Sequence, residues 1–273
     1  MGFDPPLTAT EVESAVKGLF HTVLPIQVGG QGAVFKAVAT TKAGTVVALK
    51  IYHPDQIEER SAREVKALKA LRGETIVSLQ SSGVVRIRGD KCPYLATTFV
   101  DGEVLSSRIA RGALDVPMLA RIGHDVALAI DLMWGARIVH RDIKPSNIML
   151  ATNGRAVLID LGLARHLSLQ SLTSTGRTWG TEGYLSPEQA RTLKQLSCHS
   201  DVFSLGIVLQ ECLTGRHPTA RRQPLLTNGG PDTATLRSGL PPALVQTINA
   251  MVGRQSHTRP LPQAVAAALT ALI

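Results

Sequence analysis

Residues 140–162 read HRDIKPSNIMLATNGRAVLIDLG. This run constrains the chain more than any other, because a polar loop interrupted by Pro145 is followed by two short apolar stretches, IML and AVLI, separated by the turn residues Thr152, Asn153 and Gly154. One carboxylate, one amine, one amide and a second carboxylate are thereby set on a loop and the strand pair after it. Asp142 can accept or orient a hydroxyl proton. Lys144 can neutralise charge on a moving phosphoryl group, and Asn147 with Asp160 can hold magnesium. These are the groups that phosphoryl transfer from ATP requires.

The stretch resembles the catalytic loop and metal-binding segment of protein kinases, with DLG at 160–162 in place of the usual DFG. Lys144, two positions after Asp142, follows the Ser/Thr-kinase spelling. GTEGYLSPE at 180–188 is similar to the end of the family's activation segment, a peptide-docking element. There the resemblance implies that Thr181 contacts Asp142 and Lys144, and that Glu188 forms a buried structural pair with Arg259. Asp201, in the family's DxxSxG spelling, is expected both to cap the helix that it opens and to brace the loop from below.

On the nucleotide side the cluster VGGQGAVFKA begins at Val28. Aligned on Val34, it carries the second and third glycines of the kinase phosphate loop at Gly29 and Gly32, with Gln27 at the first position. Lys50 lies on an otherwise apolar strand, where an unpaired ammonium is costly. Glu64, fourteen residues on, is the expected partner that aims it at the phosphates. The resemblance places the adenine between Val34 and Ala48 on one side and Met149 on the other. Thr97 is then the gatekeeper, leaving a back pocket open, and backbone groups of Thr98 and Val100 face the adenine edge.

The expected fold is α+β and bilobal: an extension over residues 1–20, a small β-rich lobe with one main helix over 21–100, and a larger, mainly helical lobe over 101–273. In the first part, Thr10 is a candidate cap for a short helix, and VVALKIY reads as a strand buried on both faces. Residues 58–71 form a helix with Ala62, Val65, Leu68 and Leu71 on one face, and strands follow at 83–88 and 94–99. In the second part, helices are expected at 117–136, 201–214, 242–252 and 261–273, with loop from 215 to 242.

With 44% hydrophobic and 18% charged residues the chain reads as globular. No apolar run is long enough to cross a bilayer, and Cys92, Cys198 and Cys212 are spaced for reduced thiols, so a cytoplasmic protein without membrane insertion is expected. A net charge of +8 comes from scattered basic residues. That pattern argues against specific nucleic-acid binding and for attraction to ATP and acidic partners.

The resemblance implies ATP- and Mg2+-dependent transfer to Ser or Thr hydroxyls of a protein substrate. It also implies activation by phosphorylation of Thr175 or Thr178, with Arg141, Arg165 and Arg60 gathering around the phosphate. Glu103 and Glu211 are candidate readers of basic residues beside the acceptor. A regulatory protein partner is compatible with this reading, which sets no oligomeric state. Two alternatives stay open: a catalytically silent kinase-like scaffold and a small-molecule phosphotransferase.

Overall fold

Strict alternation shapes the first part of the chain. Along residues 33–39 and 47–51 every second side chain, Ala33, Phe35, Ala37, Ala39, Val47, Leu49 and Ile51, is buried, while those between are half-buried, the period of a strand with one face on a core. A computed structural model describes residues 3–29, 32–41, 44–54, 59–162, 164–166, 180–191 and 196–273. It is α+β and divides into two compact units, Met1–Ala70 with Val77–Val100, and Leu71–Ile76 with Asp101–Ile273.

In the first unit, α1 (Ala9–Ala15) precedes β1 (Phe20–Gly29), β2 (Gly32–Ala39), β3 (Val46–Ile51), α2 (Glu59–Ala70), β4 (Leu79–Ile87) and β5 (Asp90–Thr98). The strands form one antiparallel sheet in the order β1-β2-β3-β5-β4. The sequence suggested burial of both faces for β3, but only one is closed. The face bearing Ala48 and Lys50 stays half-open.

The closed face packs with Val12 of α1 and Val16 just beyond its end, each contributing about 1.5–3 kcal/mol by burial. The helix starts two residues earlier than Thr10 suggests. Thr8 caps it in a reciprocal box with Glu11, and Arg88 bonds Glu11 Oε1 at 2.8 Å and the Pro5 carbonyl at 2.6 Å. On α2 the buried positions are Ser61, Glu64, Ala67 and Leu68, continuing to Leu71, whereas Ala62 is exposed and Val65 half-buried. The buried face is thus rotated by about one residue from the apolar pattern, because Glu64 points inward.

The second unit continues with β6 (Gly102–Val104), α3 (Leu105–Ala110), α4 (Val116–Gly135), β7 (Ile138–Val139), β8 (Ile148–Ala151), β9 (Ala156–Leu158), β10 (Arg165–His166), α5 (Pro187–Ala190), α6 (Cys198–Thr214), α7 (Thr233–Leu236), α8 (Pro242–Met251) and α9 (Pro262–Thr270). Asp115 caps α4, and Pro117 occupies its first turn, where no amide donor is needed. Helix α6 is buried nearly all round. It begins three residues before Asp201 with Ser197 as its cap and stops at Gly215, whose φ of 73° ends the helix.

Gly123 lets α4 approach α6 and α9 closely, since a Cβ there would meet Leu209 and Leu269. The short sheet β6-β8-β9 carries the loop ahead of it, and residues 71–76 join this unit through the Leu158 N–H bond to the Thr75 carbonyl at 2.9 Å. The expected loop from 215 to 242 contains α7 and a single 3-10 turn, Gln223–Leu226.

Candidate active site

In the first unit, strand register brings the nucleotide-side residues onto one sheet face. Val34 is directly opposite Lys50, and Ala48 is opposite Thr97. Cross-strand partners point to the same side, so Val34, Ala48, Lys50 and Thr97 share the half-open face. Val28 pairs with Ala33, Gly29 with Gly32, and Gln27 with Val34. The side chain at Gln27, where the family pattern has glycine, is exposed on an extended strand that accepts it. Gly32 does need to be glycine: its φ is 141°, and a Cβ would collide with the Ile51 carbonyl oxygen.

Lys50 Nζ lies 3.1 Å from Glu64 Oε2 and 3.4 Å from Oε1. Glu64 is 2% exposed and also accepts a hydrogen bond from the Tyr52 hydroxyl, while the Lys50 ammonium stands 5.0 Å over the Tyr52 ring. Sequence reasoning passed over Tyr52 as the end of an apolar strand, although its i+2 spacing from Lys50 puts it on the same side. Thr98 is tied back to residue 78. Its N–H donates to the Ser78 carbonyl at 2.9 Å and its hydroxyl accepts from Ser78 N at 3.1 Å, so its amide is engaged within the first unit. Val100 follows the end of β5 and is half-buried.

In the second unit the loop after β7 is hung from α6. The amides of His140 and Arg141 donate to Asp201 Oδ2 and Oδ1 at 2.8 and 2.9 Å. Both carboxylate oxygens serve the loop, so Asp201 braces it and leaves the capping to Ser197. Burial pushes the Asp201 carboxyl up, while the charges of His140 and Arg141 and the two amide bonds pull it down.

Asp142 is the hub of a closed set. Its Oδ1 accepts from the Thr181 hydroxyl at 2.6 Å, and its Oδ2 lies 2.9 Å from Lys144 Nζ and accepts from Asn147 Nδ2 at 3.3 Å. Lys144 in turn donates to Thr181 Oγ1 at 2.7 Å. The Ile159 N–H bonds the Asn147 carbonyl at 3.0 Å, which sets Asp160 just beyond Asn147 across the β8-β9 ladder, and Asp160 Oδ1 accepts from Gly162 N at 2.9 Å. Met149, half-buried, pairs with Val104 and Val157.

Other polar groups turn out to be structural. Arg259 grips Glu188 through two bonds of 2.7 and 2.9 Å, and Ser200 adds a third at 2.8 Å. Burial pushes the Glu188 carboxyl up, but these bonds outweigh it and hold it below the usual range. Both candidate readers of basic residues already have partners within the fold. Glu103 is engaged by both terminal nitrogens of Arg111, and Glu211 is buried and accepts from the Tyr184 hydroxyl at 2.5 Å. Thr173, Ser174, Thr175 and Thr178 lie outside the described residues, as do the side chains of Arg60 and Arg165.

Residues 20–239 match the family model of the protein kinase domain. This chain belongs to the protein kinase family. The kinase domain is 29% identical over 276 residues to a probable serine/threonine-protein kinase, pknA2, of Bifidobacterium longum, covering 96% of this chain and 36% of that protein. It is 32% identical over 259 residues to the serine/threonine-protein kinase AfsK of Streptomyces coelicolor (90% and 31% covered). To the serine/threonine-protein kinase PknA of Mycobacterium tuberculosis it is 32% identical over 212 residues (75% and 49% covered). The chain therefore spans about a third to a half of the length of these relatives. Among the described residues, no helix of the kinase domain is long and apolar enough to cross a membrane.

Proposed function

We propose that the kinase domain transfers the terminal phosphoryl group of Mg-ATP to Ser or Thr hydroxyls of protein substrates. The observation that carries this reading is the hydrogen-bonded set of Asp142, Lys144, Thr181 and Asn147. A carboxylate poised to orient a hydroxyl is held there beside an ammonium that can meet transferring charge. Thr181 fixes both at once, and that positioning, with charge stabilisation, supplies the rate.

In this assignment residues 21–100 and 101–273 are the two lobes and 1–20 an extension. Val34, Ala48, Thr97 and Met149 surround the adenine, with backbone groups of Thr98 and Val100 at its edge. Val28, Gly29 and Gly32 follow the phosphates, and Lys50, set by Glu64, pairs with them. Asn147 and Asp160 hold the metal, which neutralises phosphate charge when bound. Their chemistry fits a hard cation. Both offer oxygen, and because Asn147 Nδ2 is engaged with the Asp142 carbonyl at 2.9 Å, its amide oxygen is left accepting no hydrogen bond among the described residues.

Phosphorylation at Thr175 or Thr178 is proposed as the activating step, and the cytoplasm as the compartment. The three buried free thiols support the latter. A regulatory protein partner remains part of the proposal.

Incubation with labelled ATP tests the reaction. Wild type is expected to label a generic protein substrate and Asp142→Ala to lose at least about 100-fold in rate, with intact mass reporting self-phosphorylation that alanine at 175 and 178 removes. Label on small alcohols alone would make the protein a small-molecule phosphotransferase, and no label anywhere a silent scaffold.

A further inference from the structure

The loop after α6 is basic and pinned to the segment that follows Thr181. His217 bonds the Gly183 carbonyl through Nε2 at 2.9 Å, while its Nδ1 accepts from the amides of Thr219 and Arg221 at 3.2 and 2.9 Å. Gln223 clamps the same segment from both sides, accepting from Gly183 N and donating to the Leu185 carbonyl, each at 2.8 Å. The fit is close enough that a Cβ on Gly183 would stand 2.8 Å from the Arg221 Cα.

This loop carries Arg216, Arg221 and Arg222, all exposed, and no Asp or Glu occurs between Glu211 and Asp232. None of the three arginine side chains has an ion pair among the described residues. Arg221 lies near enough to Glu211 to favour its ionised form without forming an ion pair with it. Glu182 is exposed on the neighbouring segment and subtracts one charge from three.

The distance to the chemistry is short. Thr181 touches Asp142 at 2.6 Å, and the two residues from Thr181 to Gly183 span at most about 7 Å. An extended peptide whose hydroxyl reaches Asp142 therefore brings residues a few positions from the acceptor alongside the arginine loop.

We infer that Arg221 and Arg222 select protein substrates carrying Asp or Glu within a few positions of the acceptor hydroxyl, so that acidic peptides are the preferred substrate class. The inference rests on the phosphotransfer reading above and names its substrate. Charge acts here against an exposed, salt-screened site, so selectivity is modest per contact.

The test uses the whole chain with Mg-ATP and a peptide series bearing one Thr acceptor, each flanking position in turn being Glu, Gln or Lys. At one or more positions kcat/KM is expected to rank Glu over Gln over Lys, by about fivefold per step through KM, and the ranking should compress in high salt. In R221E/R222E the Glu-to-Lys ratio inverts. Arg222→Glu alone, at a side chain with no polar partner among the described residues, reduces the ratio even if the double variant fails to fold. Equal use of Glu and Lys peptides by wild type, or a preference that survives Arg222→Glu unchanged, overturns this inference alone. Absence of phosphate on every peptide, the Gln series included, overturns the phosphotransfer reading and this one with it.

Discussion

Glu64 is held by donors of two kinds, the Lys50 ammonium and the Tyr52 hydroxyl, in a site that is almost closed to water. Removing the lysine would take a counter-charge away from a buried carboxylate, so Lys50 variants confound activity with stability. Tyr52→Phe separates the two. It keeps the ring that the ammonium overlies at 5.0 Å and deletes the hydroxyl that donates to Glu64. A hydrogen bond to a charged group is worth about 1.5–3 kcal/mol. The urea midpoint is therefore expected to fall by an amount equivalent to about 2 kcal/mol with an unchanged slope, and Lys50 should still pair with Glu64. A loss below about 0.5 kcal/mol would mean that the hydroxyl adds nothing to what the lysine does. The same pair illustrates what a sequence can disclose. Lys50 stands out because a charge in an apolar strand demands an explanation, whereas tyrosine at that strand's end satisfies the core pattern and draws no notice.

Elements with a strong period are readable in advance, as α4 and α6 are within a few residues. Their ends are less so, since Ser197 and Thr8 cap where the sequence pointed to Asp201 and Thr10. The Asp142 set was readable as a motif. The clamp made by His217 and Gln223 was not, because both side chains bind backbone groups more than thirty residues away and no residue type advertises such a partner. Gly183 tests the clamp. It adopts a φ of 90°, and an added Cβ would lie 2.8 Å from the Arg221 Cα and 3.0 Å from His217 Nε2. Gly89 has a matching φ of 89° with nothing within 4 Å of such a Cβ, so Gly89→Ala measures the backbone penalty by itself, about 1–2 kcal/mol. Gly183→Ala is expected to destabilise by more than this control and, unlike it, to raise KM for a protein substrate several-fold while KM for ATP holds. Equal behaviour of the two variants in urea unfolding and in peptide kinetics would show that the contact with the arginine loop has no consequence.

Across the whole molecule, buried titratable groups bound the pH range in which the fold is most stable. His217 is held below the ordinary histidine value by burial and by Arg221, with its Gly183 bond opposing. Its ring also faces Tyr184 and so lies close to Glu211. Burial lowers His199 likewise. As pH falls below about 6.5 the unfolded chain protonates these two rings while the folded chain does not, so stability drops through that window and levels off below the folded values. Glu188, held low, extends the loss once pH passes below about 4.5 towards its folded value, because the unfolded carboxyl takes a proton that Arg259 excludes from the folded one. Asp201 and Glu211, pushed up by burial, act in the opposite sense and make this acid limb shallow. The alkaline limb has no such offset from the cysteines. Burial raises all three, Cys198 to about 12, so above about pH 8.5 the unfolded thiols ionise while the folded ones stay protonated, and stability falls as pH rises. Urea midpoints should therefore peak between about pH 6.5 and 8.5. In Cys212→Ala, a fully buried site on α6, overall stability drops through the lost side chain but the decline above pH 8.5 becomes less steep. An alkaline slope identical to wild type would show that the thiols stay out of the balance and that tyrosine ionisation governs that limb.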